Sequence, residues 1–241
     1  MPQVQEHIVR AFDENLEQIR QIIVRMGGMA ESQLARAIQA LSKRDASLAG
    51  EVVRDDSEID KLELELSQAA VTMLALRQPM GIDLREVVSA LKVSSDIERI
   101  GDYAANVAKR AIALSQLPPV KPAYAVPRLA RLAQDIFKEA LDAYVHRDVA
   151  RAIDVWRRDE EVDEVYTGLF RALLTYMMED PRNISPCTHL MFIAKNVERI
   201  GDHATNIAET VHYLVKGTLI AGGRPKGDAS SFEVVEPPKE G

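Results

Sequence analysis

Eight carboxylates fall into four pairs with one spacing: Asp56 and Asp60, Glu98 and Asp102, Asp159 and Asp163, Glu198 and Asp202. On an α-helix each residue turns about 100°, so residues i and i+4 stack on one face. Asn106 and Asn206 extend two of the rows by one more turn. A row of carboxylate and amide oxygens suits a hard cation such as Mg, Ca, Mn or Fe. Like charges at i and i+4 destabilise an isolated helix by about 0.2–0.5 kcal/mol per pair. Four such pairs need compensation, either from a bound cation or from solvent and neighbouring arginines such as Arg99 and Arg199. The residues alone leave both readings open.

The rows belong to a repeat. ERIGDYAANVA (Glu98–Ala108) returns as ERIGDHATNIA (Glu198–Ala208). A second register aligns Asp45 with Asp148, and carries Asp56 and Asp60 in DSEID onto Asp159 and Asp163 in DEEVD. Between the two copies lies SQLPPVKPAYAVP (Ser115–Pro127), whose four prolines make it a linker. Repeats of this size define the architecture before any finer reading.

The positioning elements are helices. Ala, Leu, Glu, Arg and Gln dominate the composition, and these are good helix formers. Asp45 and Asp148 are placed to cap the helices that follow them. Proline-containing stretches around Pro79 and Pro181 end those same helices. Asp83 with Glu86 has capping-box spacing, and Ser185 with Pro186 marks another start. Six long helices result, at about Gln5–Lys43, Ala46–Arg77, Leu84–Ser115, Arg128–His146, Val149–Glu179 and Pro186–Lys216. The fold class is all-α, two tandem three-helix bundles. The first repeat spans 1–117, the linker 118–127, the second repeat 128–217, and a mobile tail 218–241. Gly27-Gly28 inside the first helix marks a kink or close packing.

The wheel assigns faces. Ile97, Ile100, Ala104, Val107, Ala108 and Ala111 form a core-facing arc, and the Glu98/Asp102/Asn106 row lies roughly opposite. It therefore reads as an outward or groove-facing row and not as a buried dyad. Asp56 and Asp60 flank the apolar stripe of Ile59, Leu62, Leu66 and Met73, and Asp159 and Asp163 flank Val162, Val165 and Leu169. If the second and third helices of each copy pack antiparallel, their acidic rows meet along one seam. Gly101 and Gly201 each cost about 1 kcal/mol against Ala in a helix. Their double use points to a neighbouring backbone close by, with Ala105 and Thr205 continuing the small-residue strip.

Several function classes are excluded. Thirty basic against 37 acidic residues give a net charge of −7, which argues against nucleic-acid binding. The single Cys187 excludes an internal disulfide and a Cys-based zinc site, and reads as a small buried hydrophobe. There is no G-x-x-x-x-G-K-[ST] loop, no G-x-S-x-G elbow, and no repeated Glu-x-x-His of the kind di-iron carboxylate bundles use. His203 faces Tyr103 in the repeat and so reads as a surface or interface residue. No apolar run reaches the roughly 18–20 residues of a spanning helix, which fits a cytoplasmic protein without membrane insertion.

Two three-helix halves, each with E-R-I-G-D-x-A-x-N on its last helix and D-x-x-x-D on its middle one, resemble the PhoU family. TYMMEDPRNIS (Thr175–Ser185) and the MGG segment at Met26–Gly28 strengthen the resemblance, which covers about Glu6–Lys216. It implies a PhoU-like, all-helical, non-catalytic cytoplasmic regulator, often homodimeric, that restrains phosphate uptake and phosphate-starvation signalling. It also implies contact with the ATPase subunit of a phosphate ABC transporter and with a membrane sensor histidine kinase. Some members hold multinuclear metal clusters. Carried over, the ligands are Asp56, Asp60, Glu98, Asp102, Asn106, Asp159, Asp163, Glu198, Asp202 and Asn206, and the metal is Fe, Mn, Mg or Zn. The competing readings are a metal-dependent phosphohydrolase, a purely structural bundle, and a PhoU relative serving a low-affinity phosphate transporter.

Overall fold

A helix ends where its last backbone groups find another partner, and the caps here set most of the boundaries. In the computed structural model, which describes residues 2–222, 224, 227 and 228, with side chains from residue 14 onward, Asp45 accepts a 3.0 Å bond from the Leu48 amide. Asp148 accepts a 3.1 Å bond from the Arg151 amide. These caps open α2 (Ala46–Arg77) and α5 (Val149–Glu179), both at the expected residues. They follow α1 (Pro2–Lys43) and α4 (Val126–His146), which stop at Arg44 and Arg147 with φ of 56° and 52°.

The other two starts differ from expectation. The third helix, α3 (Ile82–Ser115), begins at Gly81 without a side-chain cap. Asp83 and Glu86 form no capping box, because Glu86 points away to two arginines. The sixth, α6 (Ile184–Lys216), continues from a 3-10 turn at Pro181–Asn183, so Ser185 lies inside the helix. Pro186 is tolerated there because first-turn amides have no intrahelical acceptor. The linker includes a 3-10 turn at Lys121–Ala125. Among the described residues there is no strand, and no helix is long and apolar enough to cross a membrane.

The two bundles share a spine. α3 packs on α1 and α2, α6 packs on α4 and α5, and α3 and α6 pack on each other. Buried residues recur at helical spacing along α3 (Val93, Ile97, Ile100, Ala104, Val107, Ala111) and α6 (Ile193, Val197, Ile200, Ala204, Ile207, Val211). Buried alanines on the same helices, Ala90, Ala104, Ala105, Ala108 and Ala111 on α3 and Ala194, Ala204 and Ala208 on α6, let the axes approach closely. Cys187 is fully buried, as expected. α1 is one continuous helix. At Gly27 an added Cβ would lie 2.7 Å from Leu141 Cδ1 of α4, so this glycine marks a close approach of the two helices.

Polar contacts cross between the halves. The buried Glu86 carboxylate accepts from Arg20 of α1 (Nε, 2.8 Å) and from Arg147 at the end of α4 (Nη2, 2.6 Å). Asp96 of α3 pairs with His203 Nδ1 of α6 at 2.7 Å and accepts from Asn206 Nδ2 at 3.3 Å. The His203 and Tyr103 rings lie 5.6 Å apart, so His203 is an interface residue. Glu86 joins three helices, while both of its arginines keep some contact with water. Glu86→Gln should therefore cost about 2 kcal/mol, less than the loss of a fully buried ion, read as a lower urea midpoint at unchanged slope.

Candidate functional site

The acidic rows meet in pairs along the α2/α3 and α5/α6 seams, as antiparallel packing requires. In the first half Asp102 and Asp60 both act electrostatically on Asp56, and Asp102 and Asp60 act on Glu98. In the second half Asp202 acts on Asp159, and Asp163 and Asp202 act on Glu198. All eight carboxylates therefore lie on two seams. No three His, Cys, Asp or Glu side chains among the described residues converge into a ready metal-ligand group.

The first seam is open. Asp60 is exposed and Asp56 half-buried, while the Glu98 and Asp102 side chains are 25% and 38% exposed. Burial raises the Asp56 pKa; a Gln33 bond opposes the rise, and Asp102 and Asp60 add to it. Burial also raises that of Glu98, again with help from Asp102. Arg99 reaches Glu98 at 3.6 Å and Asp102 at 3.4 Å, but it is more than half exposed and contributes little. Asn106 accepts from Lys109 at 3.4 Å.

Gln33 of α1 is a contributor that the sequence pattern did not reveal. Its Nε2 donates to Asp56 Oδ1 at 3.2 Å and to the Val52 carbonyl at 3.3 Å. Its buried Oε1 has no hydrogen-bond partner. The donor chemistry of this seam fits a hard cation: an orphaned amide oxygen and four mutually repelling carboxylates with few cations near them.

The second seam is closed, where an outward or groove-facing row was expected. Asp159, Asp163 and Glu198 are 1%, 3% and 4% exposed. Thr205 Oγ1 donates to Asp159 at 3.1 Å, and Lys195 Nζ to Glu198 at 2.8 Å. Burial raises the Asp159 pKa against Arg224, and that of Asp163 against the Gly227 amide. Burial also pushes Glu198 up to about 7, with Lys195 opposing and Asp202 adding.

The tail closes this seam. Arg224 Nη2 lies 2.8 Å from both Asp159 Oδ2 and Asp202 Oδ1, and its Nη1 is 3.5 Å from Asn206 Oδ1. The amides of Gly227 and Asp228 donate to Asp163 Oδ2 at 2.8 and 3.1 Å. These three residues belong to the segment expected to be a mobile tail; the rest of 223–241 lies outside the described residues. Of the missed contributors, Lys195 had a sequence signal, three residues before Glu198. Arg224 had none, sitting in a Gly- and Pro-rich stretch.

The glycines face side chains and not a neighbouring backbone. A Cβ on Gly101 would lie 2.9 Å from Ile59 Cδ1 and 3.3 Å from Gln33 Oε1. On Gly201 the nearest atoms are Val162 Cγ1 at 3.4 Å and Asp159 Oδ1 at 3.6 Å. The second site is thus the roomier of the two.

This doubled arrangement has relatives. The PhoU domain model matches residues 23–111 and again 126–211. The chain belongs to the PhoU family. The phosphate-specific transport system accessory protein PhoU homolog of Caulobacter vibrioides is 50% identical, over 94% of this chain and 99% of that protein. The homolog of the same description from Rhizobium meliloti is 49% identical, over 93% and 95%. The crystal structure of PhoU from Pseudomonas aeruginosa superposes with a TM-score of 0.83 at 42% identity, covering 86% of this chain and all of the other. That of the phosphate transport system regulatory protein PhoU from Streptococcus pneumoniae gives 0.80 at 27% identity, covering 87% and 99%. This chain thus shares its fold with both PhoU crystal structures.

Two outcomes test this geometry. Gly201→Ala should gain helix propensity in ordinary contact and raise stability by about 0.5–1 kcal/mol. Gly101→Ala should forfeit that gain against Ile59 and Gln33. Thermal melts of the two variants beside the parent measure the difference. The second outcome follows from charge. Asp56 and Glu98 have raised folded-state pKa values, so their contribution to stability is favourable below their ordinary values of 3.8 and 4.5. It declines as pH rises through the raised ones. Asp102→Asn removes one cause of the rise. In metal-free protein at pH 7 it should add about 0.5 kcal/mol, or 1–2 °C, and the gain should shrink as pH falls to about 4.

Proposed function

We propose that this chain is a non-catalytic accessory regulator of phosphate uptake and phosphate-starvation signalling. In this reading it works in the cytoplasm, as a homodimer, bridging the ATPase subunit of a phosphate ABC transporter and a sensor histidine kinase. Family membership supports the phosphate-transport setting, since the relatives are described as accessory and regulatory proteins of that system. The observation that carries the site-level reading is the open first seam, Asp56, Asp60, Glu98 and Asp102, set on rigid helices.

Those four residues, with Asn106 one turn on, would hold a divalent or iron cation. Asp159, Asp163, Glu198, Asp202 and Asn206 are the equivalent set in the second repeat. A bound cation would supply positive charge toward a partner's carboxylates or phosphate. The chain itself supplies position: Gln33 fixes Asp56 from α1, and Ile59 packed against Gly101 fixes the separation of α2 and α3.

A metal-dependent phosphohydrolase fits less well. Such chemistry wants metals inside a shaped, water-excluding cavity. Two clefts of about 530 Å³ open elsewhere, one between α3 and α6 around Lys92 and Tyr213, one around Arg20 and Arg147. Neither is lined by the carboxylates of the rows.

The deciding experiment pairs elemental analysis with a phosphate-starvation reporter in cells lacking the native copy. Glu98→Gln/Asp102→Asn should stay folded, lose metal from the first seam, and leave the reporter active in high phosphate. Unchanged metal content together with unchanged repression would sink the metal-dependent reading. Phosphoester turnover that needs added Mn would favour the hydrolase instead.

A further inference from the structure

The two acidic seams descend from one repeat, yet their cations differ. At the first, the nearest guanidinium belongs to Arg99, which is 55% exposed and approaches no closer than 3.4 Å. At the second, Arg224 is 15% exposed and spans the seam, 2.8 Å from Asp159 on α5 and 2.8 Å from Asp202 on α6. It also reaches Asn206. One side chain from outside the repeat therefore engages three of the five oxygen-bearing residues of the row. A guanidinium keeps its proton at any physiological pH and presents a planar fork matched to carboxylates.

Two further anchors hold the same segment. The Gly227 and Asp228 amides converge on one oxygen of Asp163. Lys195 of α6 grips Asp228 Oδ2 at 2.9 Å while bonding Glu198 at 2.8 Å. The other Glu198 oxygen, Oε2, is buried in this seam without a hydrogen-bond partner, and so is Arg224 Nη2, whose two 2.8 Å contacts are ion pairs without hydrogen-bond geometry. Glu198 is 4% exposed and faces Asp163 and Asp202, so the seam retains acceptor capacity that the tail does not use.

We propose that Arg224, Gly227 and Asp228 form a cis-acting plug of the second acidic seam, with the Arg224 guanidinium standing where a bound cation would stand. The two repeats are then inequivalent. The first seam is open to a divalent cation directly, and the second becomes available only when Arg224, Gly227 and Asp228 let go. A tethered group competes at an effective concentration in the millimolar range, so release needs a cation or partner that binds the seam tightly. The competition with metal rests on the metal reading above; the plug itself does not.

The test uses the full-length, metal-free chain and an Arg224→Gln variant, with circular dichroism to verify equal helicity. Amide exchange at Gly227 and Asp228 is followed by NMR, and Mn2+ uptake is measured by equilibrium dialysis and elemental analysis. In the parent, both amides should exchange at least about tenfold more slowly than in Arg224→Gln. The variant should take up about twice as much Mn2+ per chain. Equal exchange in the two proteins, at the rate of an unstructured peptide, would overturn the plug. Uptake at both seams of the parent with its tail amides still protected would overturn it too. Protection lost only in the variant, with no Mn2+ bound by either protein, would uphold the plug and sink the metal reading instead.

Discussion

The packing of α3 on α6 is the contact on which the other contacts depend. Each of these helices carries a full apolar arc for its own bundle, a small-residue strip, and an acidic row beside it. Three functions on one helix leave little angular freedom. The apolar arc fixes rotation about the axis, and rotation fixes where Glu98, Asp102, Glu198 and Asp202 emerge. Short side chains at the close approaches then fix the distance to the neighbouring helix, and so the separation of carboxylates across each seam.

That close approach has an electrostatic cost, and the two halves meet it with different residues. In the first, Gln33 reaches Asp56 from α1; the repeat-equivalent residue in α4 is Ile136, which is fully buried in the core. In the second, Thr205 donates to Asp159, where α3 has Ala105. Each half thus gives its partly desolvated aspartate one neutral donor, taken from a different helix, and in the second Arg224 adds a charged one. A neutral donor leaves the first seam's net charge untouched, whereas Arg224 and Lys195 offset part of it in the second.

The helices and the rows were legible in the sequence because their determinants are local. Asp45 and Asp148 cap within three residues, and the i, i+4 spacing is a property of one helix. α2 and α5 consequently begin and end at the expected residues. The start of α6 was misplaced because a 3-10 turn feeds into it, which no single residue type announces. The depth of the second seam was not legible either. It depends on Arg224 and Gly227 meeting Asp159 and Asp163 more than sixty residues away. A helical wheel sees one helix and cannot see what later lies across it. The same limit hid Gln33, and it hid the diversion of Glu86 from a local cap to Arg20 and Arg147.

The Asp96–His203 pair at the centre of the spine bears on how a duplicated chain keeps its two copies in order. Asp96 meets His203 and Asn206 across the α3/α6 contact. The repeat counterparts are Asn196, Tyr103 and Asn106. Were two first halves to pair through α3, each Asp96 would face a tyrosine instead of an imidazole. Were two second halves to pair through α6, each His203 would face an asparagine and lose its carboxylate. Only the mixed pairing completes the bond. The spine thus carries a matching code that favours pairing a first half with a second half over pairing like halves, a hazard that any tandem duplication inherits from the symmetry of its origin.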